Sequence, residues 1–174
     1  MTTPDRHTRT EIRDNMRITW HQPITMDNGL TLRADVYRPI DENAKCPIIL
    51  NYGIYGKGVA YQDGYPLQWE KMVTDYPEIL KMSSNKYQNW ETTDPECWVP
   101  HGYAIVRVDS RGAGWSPGFM DPASPRELDD LYQCIEWAGT QPWSNGKVGM
   151  LGISYYASNQ WRVAGMHPSP PHLA

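Results

Sequence analysis

Cysteine is scarce in this 174-residue chain: Cys46, Cys97 and Cys134 are odd in number, far apart, and form no C-x-x-C pair. That pattern excludes a disulfide framework and a structural zinc site, and it fits free thiols in a reducing compartment. Long apolar runs are missing too. The N-terminus, MTTPDRHTRTEIRDN, has no apolar h-region, and no stretch approaches a membrane span, so the expected setting is soluble and cytoplasmic. Clustered basic charge is also lacking. The 16 Lys and Arg are scattered and the formal net charge is -4, which excludes a nucleic-acid partner. No G-x-G-x-x-G opens a helix after a strand, and neither a P-loop nor an H-E-x-x-H occurs. Nucleotide and zinc chemistry are thereby excluded, and no cofactor or metal is expected. No repeat recurs at a fixed period.

What is present suits one globular domain: 40% of residues are apolar and 21% charged. Residues 1–15 are polar and are expected to form a flexible arm ahead of a domain spanning 16–174. Arg17-Ile18-Thr19-Trp20 and the run from Leu30 to Tyr37 are rich in β-formers. Asp27-Asn28-Gly29 lies between them, and Asn-Gly supplies the positive φ angles of a tight hairpin turn. Three continuous apolar runs follow, at 47–53, 103–109 and 147–153, as in parallel strands covered on both faces. Between the last two, Ser124-Pro125-Arg126-Glu127 opens a helix. Serine caps it, proline takes the first turn, and glutamate is placed to bond back to the serine amide. Leu128, Leu131, Ile135 and Ala138 then mark the face turned to the sheet. Strand, helix, strand is a βαβ crossover, right-handed by rule. The fold class is α/β. The stretch 56–100 shows no clear periodicity beyond possible short helices at 67–72 and 78–82, and it either packs as a surface layer or lines a site.

The segment from Gly149 to Trp161 carries the chemistry. A buried strand runs into a helix with Ser154 at the junction, the context in which G-x-S is a nucleophile elbow. A serine hydroxyl attacks a carbonyl only when it is exposed to a base and held in place. A sharp strand-to-helix turn provides that exposure, Gly152 leaves room for it, and the helix start aims free N–H groups at a developing oxyanion.

On these residues the chain resembles the CocE/NonD hydrolases, the X-Pro dipeptidyl-peptidase and cocaine-esterase-like group. Gly152-Ile153-Ser154-Tyr155 with Gln160-Trp161 is similar to that family's elbow. The run from Asp109 to Gly118 resembles its D-x-R-G-x-G-x-S-x-G segment, and the run from Thr31 to Pro39 resembles its leading strand. The resemblance implies a serine hydrolase of the α/β-hydrolase fold, its partner a small ester or short peptide, including amino-acyl esters and X-Pro peptides. It also implies an oxyanion hole formed by the Tyr155 amide and the hydroxyl of Tyr55. Tyr52 is the competing tyrosine, although a strand position favours the core. Ala157 replaces the family's usual glycine, an extra methyl costing on the order of 1 kcal/mol.

A triad also needs a base and an acid. Of the five histidines, His7 falls in the arm, His21 in the hairpin and His101 before a strand. His167 and His172 follow the elbow helix, with His167 roughly 20 Å along it. None is expected to serve Ser154. Asp109 is expected to fix the Arg111-Gly112 turn, and Arg111 to brace a loop. The chain is therefore expected to be the N-terminal portion of an α/β-hydrolase, truncated after the elbow helix. It would be inactive by itself and would leave an apolar sheet edge open. The alternative is a catalytically inactive α/β module that binds a partner.

Overall fold

The computed structural model describes residues 7–174. Six strands form one mixed sheet in the order β1-β2-β3-β5-β4-β6. They are β1 (Arg9–Arg13), β2 (Met16–Thr25), β3 (Thr31–Arg38), β4 (Cys46–Gly53), β5 (Ala104–Asp109) and β6 (Ser144–Met150). β1, β2 and β3 pair antiparallel, as do β3 and β5, whereas β4 runs parallel to both β5 and β6. The helices are α1 (Tyr61–Gly64), α2 (Pro66–Asp75), α3 (Pro95–Trp98), α4 (Pro125–Gly139) and α5 (Tyr155–Ala164), with 3₁₀ turns at Pro77–Lys81 and Val99–His101.

Part of the arm expected to be flexible is instead strand β1. Asp14 and Asn15 both take positive φ, 47° and 59°. Such a pair makes a tight turn whose twist matches a hairpin. β1 then lies on β2, with the Trp20 indole donating to Glu11 at 2.7 Å. Residues 1–6 lie outside the described residues. The β2–β3 hairpin forms where expected, but its turn differs. Only Gly29 has positive φ, 83°, and Met26 N–H bonds to Leu30 O at 2.8 Å, so the loop has three residues rather than two.

β4 shows why continuous apolar runs mean double cover. Ile48, Leu50 and Tyr52 face α4 and α5, packing with Leu131, Cys134, Ile135, Ala138 and Val163. Ile49 faces the other way, toward Met16, Ile18, Tyr37, Tyr87, Val99 and Ile105. The second face is thus closed by part of the stretch 56–100. At α4, Ser124 accepts from Glu127 N–H at 3.1 Å as expected of a cap. Glu127, however, reaches back to the Ala123 amide at 2.6 Å rather than to that of Ser124. The outer edge of β6, expected to stand open, is partly taken. Val148 N–H donates to His172 O, and Ala174 N–H to Val148 O, each at 2.9 Å.

Leu131 is 1% exposed at the centre of this packing. Leu131→Ala should lower unfolding stability by about 2–5 kcal/mol, read from urea midpoints at unchanged slope. A shift below 0.5 kcal/mol would show that α4 is not seated on the sheet.

Candidate active site

β4 and β6 are neighbours whose following connections leave toward opposite faces of the sheet, and the crevice this opens at their carboxyl ends is where open α/β sheets bind ligands. The loop after β4 carries Tyr55, and the turn after β6 carries Ser154.

Ser154 sits between the end of β6 and the start of α5 with φ 54° and ψ -115°, a backbone conformation that side chains rarely adopt. Its neighbours hold it there. Ile153 N–H donates to the Glu91 carbonyl at 3.2 Å, and the Asn51 side chain of β4 donates to the Leu151 carbonyl. A Cβ on Gly152 would come within 2.3 Å of Tyr156 Cβ, so only glycine lets the strand pass this close to the helix. The Ser154 carbonyl accepts from Ala157 and Ser158, at 3.0 and 2.9 Å. Ala157, the departure from the usual glycine, is accommodated half-buried. The Tyr155 amide has no hydrogen-bond partner among the described residues and stands at the positive end of α5.

The Tyr155 phenol points away from this amide and donates to both Glu127 carboxylate oxygens, at 2.6 and 2.5 Å, tying α5 to α4. Burial, followed by that carboxylate, raises its pKa. Tyr55 stands over the elbow. Its ring centroid is 6.1 Å from that of Tyr155, edge-on, and 5.8 Å from that of Tyr156, and 45% of the residue is exposed. Tyr52, on the face packed by α4 and α5, is buried, 1% exposed. Of the two tyrosines left in competition by the sequence, Tyr55 has its ring against Tyr155 and Tyr156, the two residues that follow Ser154, whereas Tyr52 is buried in the core.

None of the five histidines is hydrogen-bonded to Ser154 among the described residues. His172 Nδ1 pairs with Glu136 at 2.8 Å, and His101 ends the 3₁₀ turn at the amino end of β5. His21 is less remote than a hairpin assignment suggests. A bulge between Thr19 and Gln22 turns it, at φ 54°, toward the carboxyl edge, where its ring lies 4.2 Å from Trp115 and its Nδ1 2.9 Å from Lys57 Nζ. Burial and the Lys57 ammonium lower its pKa.

Asp109 ends β5 with its carboxylate accepting from Lys57 N–H at 2.6 Å and Trp115 N–H at 2.8 Å. It fastens two loops together, and the expected bond to the Arg111-Gly112 turn is replaced by Gly112 N–H donating to the Pro117 carbonyl at 3.1 Å. Burial raises its pKa. Gly114 passes so close that a Cβ would meet Asp109 Oδ2 at 2.3 Å. Arg111 braces its loop against α4 through Asp130, at 2.8 and 2.9 Å.

Beside the elbow lies a cavity of about 660 Å³ lined by Tyr61, Met72, Ile79, Trp90, Glu91 and Ile153, among others. The stretch 56–100 therefore does both things that were open to it: it covers the sheet and it lines a site. Trp90 stacks on Tyr65 at 4.7 Å, and one Glu91 carboxylate oxygen, Oε2, is buried without a partner. Sequence reasoning missed Trp90, Glu91 and Lys57. The first two sit in a stretch without periodicity, while Lys57 was in view only as a neighbour of Tyr55. Among the described residues no group of three or more His, Cys, Asp or Glu is placed to hold a metal, and no helix is long and apolar enough to cross a membrane.

A parallel core with an antiparallel leading hairpin, and a strained serine between the strand beside β4 and a helix, define an α/β-hydrolase. The profile of the X-Pro dipeptidyl-peptidase (S15) family matches residues 28–174, and the chain belongs to that family of serine hydrolases. It is 28% identical to the cocaine esterase of Rhodococcus sp. (strain MB1 Bresler) over 81% of this chain and 20% of the esterase. It is 27% identical to a putative Xaa-Pro dipeptidyl-peptidase of Bacillus cereus over 69% of this chain and 22% of that protein. The crystal structure of a CocE/NonD family hydrolase from Staphylococcus aureus superposes with a TM-score of 0.74 at 34% identity, covering 91% of this chain and 26% of that one. The chain thus spans about a fifth of the length of the curated relatives it matches.

Proposed function

We propose that this chain supplies the nucleophile, the oxyanion hole and part of the substrate pocket of a hydrolase that cleaves esters or amides through an acyl-enzyme on Ser154. The observation that carries the proposal is the strained Ser154 standing beside the unpartnered Tyr155 amide. A general base takes the Ser154 proton as Oγ bonds to the carbonyl carbon. The resulting oxyanion accepts from the Tyr155 N–H and the Tyr55 hydroxyl. The base then returns the proton to the leaving alcohol or amine, and water repeats the sequence on the acyl-enzyme. The base and its acid belong to other parts of the whole protein, and the 174 residues alone turn over esters little if at all. Turnover of a p-nitrophenyl ester by the 174 residues, lost in Ser154→Ala, would show instead that a group in this chain is the base. Labelling the whole protein with a fluorophosphonate and sequencing the modified peptide tests the assignment, since the adduct belongs on Ser154.

The cavity takes the acyl side of the substrate. Its aromatic walls suit a bulky apolar group, and the Glu91 carboxylate in its lining suits a cationic amine near the scissile carbonyl. The names of the relatives, an esterase and a peptidase, fit both leaving groups. Glu91→Gln is expected to lower kcat/KM for an α-amino ester by about tenfold or more, and for the isosteric neutral ester far less. Equal losses on the two esters would remove Glu91 from amine recognition.

A further inference from the structure

Lys57 is the point at which the polar interior of this edge converges. It lies two residues after Tyr55, and both its side chain and that of Asp35 are 1% exposed. Its ammonium donates to Asp35 Oδ1 at 2.8 Å and meets His21 Nδ1 at 2.9 Å. An ammonium has no acceptor, so Nδ1 must accept, and the His21 proton is on Nε2. Asp35 Oδ1 also accepts from the His21 backbone N–H at 2.9 Å. The Lys57 N–H donates to Asp109, and its carbonyl accepts from the Asn89 side chain, which is 5% exposed. One residue is therefore tied to β2, β3, β5 and the stretch that lines the cavity.

A buried ion pair is a poor device for stability alone, because the desolvation of both charges offsets their attraction. Its value is geometric. The Tyr55 side chain projects from the surface and no hydrogen bond ties its hydroxyl to a described residue, so the backbone of the turn from Gly53 to Lys57 sets where that hydroxyl stands. We propose that Lys57, through its buried pair with Asp35, is a positioning residue of the oxyanion hole, holding the turn that presents the Tyr55 hydroxyl to the carbonyl attacked by Ser154. This rests on the hydrolase assignment above. Displacement of an oxyanion donor by about 1 Å is enough to cost on the order of 10²-fold in rate.

The test is made in the whole protein. Lys57→Met alone leaves Asp35 buried without its counter-ion, so it is paired with Asp35→Leu, which removes both charges. The double variant is expected to fold, as judged by circular dichroism and thermal midpoint, and to lose about 10²-fold in kcat with KM little changed. In a Tyr55→Phe background the same two changes should cost less than about threefold, because the hydroxyl they position is already gone. An unchanged kcat, or a full further loss on top of Tyr55→Phe, overturns the proposal. Where the double variant does not fold, Asp35→Asn combined with Lys57→Gln carries the same comparison. It keeps the shape more closely, removes both charges, and should lose about tenfold in kcat only while Tyr55 is present. The hydrolase assignment fails separately, by wild-type turnover that survives Ser154→Ala.

Discussion

Ser154→Ala in the whole protein is expected to lower kcat for ester hydrolysis by on the order of 10⁴–10⁶-fold and to abolish fluorophosphonate labelling. The residual rate would come from the oxyanion donors and substrate binding, which the substitution leaves in place. A structural role for Ser154 gives no comparable loss: it makes no side-chain cap hydrogen bond to α5. Stability separates the cases further. Alanine at φ 54° is no more comfortable than serine, so Ser154→Ala should leave the urea midpoint nearly unmoved. Ser154→Gly relieves the strain and should raise stability by about 1 kcal/mol while activity is lost equally. A position that grows more stable as it loses function is one where the fold holds strain for chemistry. Activity surviving either substitution, or a glycine variant that is less stable, would mean that the turn is ordinary.

The elements readable from sequence are those whose signal is local. β4 and β5 are continuous apolar runs, α4 carries its own cap and periodic face, and the elbow needs only a strand, a glycine, a serine and a helix start in succession. β6, by contrast, runs over Ser144–Met150 with Val148 alone buried rather than as a covered apolar strand at 147–153. β1 was not legible because Arg9–Arg13 is a polar edge strand with one apolar residue, and its evidence lies in the Asp14-Asn15 turn beyond it. In the stretch 56–100 the short helices expected at 67–72 and 78–82 are present, as part of α2 and as the 3₁₀ turn Pro77–Lys81, but the rest was not legible, for another reason. Its short helices answer to a curved cavity wall rather than to a flat sheet, so apolar residues such as Met72, Ile79 and Trp90 follow no single period. Lys57 is the deepest miss. Its partners stand 22, 32, 36 and 52 positions away in the chain, and no local pattern reports an ion pair closed by the tertiary fold. His21 shows the same limit: a bulge turned a hairpin residue toward the site, and no composition rule places bulges.

Tyr55→Phe should lower kcat in the whole protein by about 10²–10³-fold and leave KM within about threefold, because an oxyanion donor acts on charge that develops only after binding. In the proposed site the Tyr155 amide would donate one hydrogen bond to the oxyanion and the Tyr55 hydroxyl the second, the exposed Tyr55 ring standing 6.1 Å from that of Tyr155. Tyr52 is the informative control, since Tyr52→Phe deletes the same atom from the neighbouring β4 position. Its hydroxyl lies deep on the α4 side, near Cys134 and Asp130, where burial drives its pKa up. Tyr52→Phe should therefore change stability by about 1 kcal/mol and kcat by less than twofold. The two substitutions separate packing from catalysis without altering shape. If the large kcat effect followed Tyr52 instead, its buried hydroxyl rather than that of Tyr55 would be the second oxyanion donor.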